Sequence, residues 1–185
     1  MKVFLSPGHG GKDNGAVWGE KYDYVEEDDL NLIISFLIRY ELLLTGHKVM
    51  MAREKDEAVS LAKRCNMANK WRADIFISIH ADAFHNTTVK GISTHIHPNV
   101  YADSLILATW IQTKLISSFV DHTDRGVKKS NFQVLRDTDM PAVLIECEFL
   151  SNPDTRRFLK EPENQIILAK AISGGIEKYS GIKEV

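Results

Sequence analysis

Three separated segments carry side chains that fit one metal site. They are Ser-Pro-Gly-His-Gly-Gly at residues 6–11, Glu-Glu-Asp-Asp at 26–29 and Ser-Ile-His-Ala-Asp at 78–82. His9 and His80 each follow a short apolar run, which puts an imidazole at the C-terminal tip of a buried strand. Glu27 opens a long amphipathic pattern, near a helix N-terminus. Two imidazoles and one carboxylate, with a fourth position left for water, are the donor set of a catalytic zinc ion. Glu26 competes with Glu27 for the carboxylate position, and an acidic helix start is by default a solvated feature favoured by the helix dipole. Glu146 closes the apolar run Pro141-Ala-Val-Leu-Ile145, where a carboxylate is costly to bury without a role or a partner. It reads as the group that takes a proton from the attacking water.

The remaining polar residues around these segments have plainer readings. Gly8-His9-Gly10-Gly11 lacks the Gly-Lys-Ser/Thr ending of a P-loop, because Asp13 follows Lys12, and lacks the third glycine of a dinucleotide fingerprint. Asp82, close behind His80, is positioned to orient a ring N–H of that histidine. Glu148 shares the face of Glu146 if the strand continues, and Cys147 between them packs inward. His95 and His97 read as a polar sheet face, and His47, His85 and His122 as surface residues.

The elements that must position these groups follow from hydrophobic periodicity. Strands are expected at Lys2–Ser6, Lys48–Ala52, Asp74–Ile79, Gly91–His97 and Ala142–Glu146, with an extended edge segment at Phe132–Leu135. Helical spacing links Leu30, Ile33, Ile34, Leu37, Ile38 and Leu44, with Gly46 as the stop. It also links Leu61, Cys65 and Ala68 behind a Ser60 cap. Further helices span 103–119, on Leu105, Ala108, Leu115, Ile116 and Phe119, and the C-terminal stripe Leu168, Ile172, Ile176 and Tyr179. Asn152-Pro153-Asp154 reads as a capped helix start. Strands alternating with helices predict an α/β fold: a single domain over 1–185, with a mainly parallel twisted sheet and helices on both faces. Such sheets place their sites at C-terminal strand ends, where His9, His80 and Glu146 all fall.

Composition narrows the function classes. A chain of 185 residues with 44% hydrophobic and 26% charged residues has enough apolar content for a globular core. Its net charge of −2 argues against a nucleic-acid partner. Two cysteines, Cys65 and Cys147, cannot build a disulfide framework and read as buried thiols. No apolar stretch approaches a membrane span. Met1–Leu5 runs directly into Pro7-Gly8, too short for a signal segment. The expectation is synthesis in the cytoplasm, or a leader already removed from the sequence.

Taken in order, the motifs resemble a known family, the zinc-dependent N-acetylmuramoyl-L-alanine amidases of the Amidase_3 type. The resemblance runs from Lys2 to about Tyr179. It rests on Ser6-Pro-Gly-His-Gly-Gly-Lys-Asp-Asn-Gly-Ala16, Glu27-Asp-Asp-Leu-Asn-Leu32, Ala52-Arg-Glu54 with Asp56, and Ser60-Leu-Ala-Lys-Arg64 leading to Ala68-Asn69. It continues through Ile77-Ser-Ile-His-Ala-Asp-Ala83, Asp124-Arg-Gly126, Val134-Leu-Arg136, Met140-Pro-Ala-Val-Leu-Ile-Glu146 and Phe149-Leu-Ser-Asn152. The resemblance implies that His9, Glu27 rather than Glu26, and His80 hold one zinc ion and that Glu146 is catalytic. It implies hydrolysis of the amide between the lactyl group of N-acetylmuramic acid and L-alanine in peptidoglycan. Ser6, Asp82 and Glu148 depart from the family pattern, and Glu148 is expected to bring a second carboxylate near the site. Arg136 reads as a structural ion pair rather than a contact to a stem-peptide carboxylate.

The alternatives are a zinc peptidase or deacetylase acting on peptidoglycan, or a non-catalytic wall-binding module. Retention of all four polar positions argues against the last. No spare amphipathic segment lies between His80 and Glu146, so no obligate activator is expected. The absence of a visible leader suits a phage lysin that meets the wall only after release, with a bacterial remodelling or sporulation enzyme as the alternative.

Overall fold

The computed structural model describes residues 1–99 and 102–183. Strands β1 (Lys2–Pro7), β4 (Lys48–Met51), β5 (Ile75–Asp82), β6 (Ile92–Ile96), β7 (Asp124–Lys129) and β8 (Ala142–Phe149) form one six-stranded sheet in the order β4-β1-β5-β8-β6-β7. All neighbours are parallel except β6 and β8. A two-stranded hairpin, β2 (Val17–Trp18) and β3 (Val25–Glu26), leads into α1 (Glu27–Leu44). The other helices are α2 (Leu61–Trp71), α3 (Ala102–Ser118), α4 (Gln133–Arg136), α5 (Pro153–Lys160) and α6 (Pro162–Lys183).

The sheet is buried on both faces because its strands are continuous apolar runs. Val3, Leu5, Ile75, Ile77, Ile79, Val143 and Ile145 face one core, packed against α1, α3 and α6. Phe4, Phe76, Ala142 and Leu144 alternate to the opposite face, under Cys65 and Ala68 of α2 and Val134 and Leu135 of α4. Phe4 stacks on Phe76 with ring centroids 5.6 Å apart. Beyond α2 and α4 this second face turns polar. Ser6, Ser78, His80 and Glu146 continue it toward the C-terminal ends of β1, β5 and β8, and Ser93, His95 and Lys128 extend it sideways across β6 and β7, which run the opposite way to β8.

Several expected boundaries shift. The strand runs do not stop at His80 and Glu146. Both strands continue, to Asp82 and Phe149, with an irregular register between. Phe132–Leu135 is not an extended edge. Residues 133–136 form one helical turn, whose Val134 and Leu135 pack onto α2, and a short apolar run does not distinguish the two states. The 124–140 connection contains the edge strand β7, which has a single large apolar residue and no buried position. In the helices, Ile33, Leu44, Leu61 and Leu105 face solvent, and the buried stripe of α1 is Leu30, Ile34, Ile38 and Leu42. Ser60 caps α2 by accepting from the Lys63 N–H. Asn152 caps α5 ahead of Pro153 by accepting from the Asp154 and Thr155 N–H groups. Cys65 and Cys147 are both buried and unpaired.

Candidate metal centre

Each ligand-type residue is delivered by a different element. After β1 the chain turns sharply at His9, Gly10 and Gly11, all with positive φ (58°, 125° and 70°). A left-handed histidine costs on the order of 1 kcal/mol, a strain typical of functional sites. The turn is closed by the Gly10–Asp13 bridge. Two buried arginines secure it from beneath. Arg64 donates to the carbonyls of Val59 (2.8 Å), Pro7 and His9 (2.6 Å) and to Ser6 Oγ (3.1 Å). Arg53 donates to the carbonyls of Gly8 (2.9 Å) and Asp28 (2.6 Å). Neither guanidinium spends a bond on a carboxylate, so the acidic groups of the site remain available to the imidazoles.

Glu27 is the first residue of α1, and its side chain turns inward. Oε1 accepts from Asn31 Nδ2 (3.0 Å) and the Ala81 N–H (3.2 Å), and Oε2 accepts from the Ala16 N–H (2.9 Å). Glu26 turns outward and accepts from the Tyr24 hydroxyl. The structure thereby distinguishes the two neighbours that sequence reading of the acidic run left open.

His9 Nε2 lies 3.2 Å from Glu27 Oε2, and His80 Nδ1 lies 3.0 Å from Glu27 Oε1. One donor atom from each of His9, Glu27 and His80 falls within 4.8 Å of the others. Bonds of ~2 Å in a tetrahedral zinc site imply ligand–ligand edges of ~3.3 Å, so this donor set fits the ion without rearrangement of the backbone. The glycines around it fit as well. A Cβ on Gly15 would sit 2.5 Å from Glu27 Oε2 and 2.6 Å from the His9 ring, and one on Gly8 would sit 2.3 Å from the His80 ring. His9 Nδ1 is 2.9 Å from Asp13 Oδ2, which fixes the ring with Nε2 facing Glu27. Asp82 does not hold His80, as the sequence had implied. Its Oδ1 accepts from the Ala83 N–H.

The electrostatics follow from these contacts. The hydrogen bond to Glu27 raises His9 to about 9 against the opposing effect of burial, and Asp13 adds to the rise. Burial pushes Glu27 up, but the bonds from His80 and His9 outweigh it and hold its carboxyl far below the usual carboxylate range. Glu146 lies opposite His80 in the neighbouring strand, and its Oε2 is buried with no partner among the described residues. Burial, then the charges of Asp82 and Glu27, raise its proton affinity well above that of an ordinary glutamate.

Other polar residues are placed elsewhere. Glu148 is fully buried and points away from the triad. It accepts from the Gly91 N–H (2.6 Å) and meets His122 Nδ1 at 2.7 Å. His122 is therefore a half-buried partner of Glu148 and not a free surface residue. His47 is also buried, between the N-terminus and Glu177. His85 is exposed. His95 is buried between Ser93 and Ser130, and burial lowers it to about 4, so it is neutral at physiological pH. His97 meets Asn131, and Arg136 bonds Asp137 and Asn131, a structural arrangement. Asp13, Arg53 and Arg64 went unassigned in the sequence reading. Arg53 and Arg64 stood inside the motifs, but bonds to backbone carbonyls leave no periodic trace.

Comparison with known proteins agrees with this geometry. The sequence profile described as N-acetylmuramoyl-L-alanine amidase matches residues 3–178. The sporulation-specific N-acetylmuramoyl-L-alanine amidase of Bacillus subtilis (strain 168) is 35% identical over 186 residues, covering 100% of this chain and 70% of that protein. The crystal structure of an N-acetylmuramoyl-L-alanine amidase from Clostridium difficile 630 superposes with a TM-score of 0.92 at 36% identity, over 97% of this chain and 96% of that one. The CwlD amidase from Clostridioides difficile, solved in complex with the GerS lipoprotein, gives 0.92 at 31% identity over 98% of each chain. The mainly parallel sheet, the His9–Glu27–His80 cluster and the near full-length match lead to one assignment: the chain belongs to the Amidase_3 family of N-acetylmuramoyl-L-alanine amidases, hydrolases of peptidoglycan.

Proposed function

We propose that this chain hydrolyses the amide between the lactyl group of N-acetylmuramic acid and L-alanine, with one zinc ion held by His9, Glu27 and His80 and with Glu146 as general base. The observation that carries this reading is a buried, unpartnered carboxylate oxygen one strand away from a three-residue metal cluster. A bound zinc ion supplies a Lewis acid that makes a nearby water acidic near neutral pH and offsets charge growing on the carbonyl oxygen. Glu146 Oε2 is the open acceptor for that water's proton. Its raised proton affinity suits the later step, in which the proton passes to the alanine nitrogen as the amide opens. Asp13 and the arginine-braced turn hold the His9 ring in place throughout.

The setting we assign is remodelling of a bacterium's own wall, supported by the sporulation-specific relative. Activity without an activator is supported by the interval between His80 and Glu146. Among the described residues it contains β6, α3, β7 and α4, each packed onto the body of the fold. The complex of the CwlD relative with a lipoprotein supports the opposite. One experiment tests the bond cut and the activator-free reading: zinc-loaded protein alone is incubated with purified peptidoglycan and the products are weighed by mass spectrometry. Intact stem peptides with free alanine N-termini and uncut glycan are expected. Internal stem fragments would establish a peptidase, and free glucosamine-type amines a deacetylase. No product without an added partner would overturn the activator-free reading.

A further inference from the structure

Next to Glu146, across β6, the sheet carries two cations that the proposed chemistry does not use. Lys128 of β7 pairs in register with His95 of β6, and His95 with Leu144 of β8, which places Lys128 on the same sheet face as Glu146. Its half-buried ammonium makes no hydrogen bond or ion pair among the described residues. Arg125 lies at the other end of the same strand. Its guanidinium sits over the Phe149 ring, 5.0 Å from the centroid, at the register position of Asp82. Gly91 makes room for the stem of Arg125, since a Cβ there would come within 2.7 Å of Arg125 Cγ. The guanidinium makes one long bond, 3.4 Å to the Lys90 carbonyl, and its Nε is buried without a partner. Asp82 is near both cations but pairs with neither, and its own proton affinity is raised by burial.

Two like charges on one short strand, with unused donors, repel one another, and an anion that reaches both offsets that repulsion. Burial first, and then the charge of Arg125, weaken the hold of Lys128 on its proton, against the opposing pull of Asp82 and Glu146. The cost is recovered when a carboxylate accepts from both, because charge-assisted hydrogen bonds are about twice as strong as neutral ones.

We infer that Lys128 and Arg125 form a subsite for a carboxylate of the stem peptide, on the leaving-group side of the scissile amide. This rests on the amidase reading above. The geometry suits a carboxylate close to the first alanine. Adjacent strands lie ~4.8 Å apart, so Lys128 Cα stands two strands, ~10 Å, from the Glu146 strand, and a lysine side chain spans more than half of that gap. The remaining distance matches one to two residues of extended peptide at ~3.4 Å each. Substrates with a free carboxylate at the second stem residue are then preferred over those with a carboxamide there.

The test uses two synthetic muramyl peptides that differ only at that group, cleaved by zinc-loaded enzyme. The acid is expected to exceed the amide in kcat/KM by roughly tenfold or more, the scale of a hydrogen bond to a charged group. Lys128→Met should bring the ratio toward one, and Lys128→Arg should restore it. Lys129→Met, on the opposite face of the same strand, should keep the wild-type ratio. A ratio does not depend on how much of a variant is folded. A wild-type ratio near one, or an unchanged ratio in Lys128→Met, overturns the subsite. Calorimetry with the acidic stem peptide alone separates this from the amidase reading. If no amide is cut, that reading fails, yet binding at least tenfold weaker to Lys128→Met than to wild type still upholds the subsite, and equal affinity overturns it.

Discussion

In the proposed zinc site, metal and protons compete for His9, and the structure sets the terms. The hydrogen bond and charge of Glu27, helped by Asp13, hold the imidazole near 9 in the metal-free protein. A metal ligand must be neutral, so the ion has to displace that proton. At pH 7 only about 1% of His9 is neutral, two units below its midpoint, so apparent zinc affinity should be ~100-fold weaker than above pH 9. That is about 2.7 kcal/mol at 1.36 kcal/mol per unit. Between pH 7 and 8.5 the affinity should climb about tenfold per unit, with close to one proton released per zinc bound. Competition against a chelator of known pH dependence measures the slope. Calorimetry in buffers of different ionisation enthalpy counts the proton. The stability of the metal-free protein should move the opposite way. A histidine raised in the folded state stabilises fully below its unfolded value of 6.5, and that contribution is lost as pH rises through about 9. The melting temperature after chelation should therefore fall between pH 6.5 and 9, while that of the zinc-loaded protein rises. A flat zinc affinity over this range, with no proton released, would refute the role of Glu27 as the group that tunes His9.

The other predictions follow from single contacts. Glu146→Gln should retain zinc by metal analysis yet lose roughly 10²-fold or more in turnover, the scale of a general base. Glu148→Gln should act on stability instead. It removes the buried charge opposite His122 and weakens two backbone contacts, so denaturant titration should show a loss of roughly 1–3 kcal/mol with turnover of the folded fraction little changed. Gly15→Ala should fold less stably and bind zinc far more weakly, because the backbone there has φ +67° and the new methyl would occupy the space between Glu27 and His9. Equal zinc content in Gly15→Ala and wild type would show that the cluster is not the metal site.

What the sequence made legible were features with a period or a fixed position. Runs such as Ile75–Ile77 and Ala142–Ile145 are apolar on both sides because the strands they form are covered on both sides, so strand and polar terminus could be read together. His9, His80 and Glu146 inherit their placement from those runs. Glu27 was legible only as one of several acidic residues, because its selection depends on the hairpin β2–β3 and on Asn31, Ala16 and Ala81, which converge only in the folded chain. The edge strand β7 escaped notice because Asp-Arg-Gly-Val-Lys-Lys buries nothing and takes its conformation from its neighbour β6. Glu148 was read as a companion of Glu146 because they are two residues apart. The irregular register after His80 and the positive φ of Glu148 (151°) break the alternation on which that inference depended.

The two buried arginines explain how a strained turn and a charged cluster coexist in one small region. The turn at His9–Gly11 leaves the carbonyls of Pro7, Gly8 and His9 without a sheet or helix partner, and a buried carbonyl left unpaired costs about 1–3 kcal/mol. Arg64 and Arg53 satisfy all three, and Arg53 also bonds the carbonyl of Asp28 at the start of α1. Each planar fork thus ties the turn to a second element, β1 to α2 through Arg64 and to α1 through Arg53. Burial lowers Arg64 only to about 10, so it stays charged wherever the enzyme works. The positions of His9 and Glu27 are consequently set by the same network that satisfies the backbone. A lysine in place of Arg64 keeps the charge but cannot span these acceptors, so the metal centre should loosen even where the fold survives.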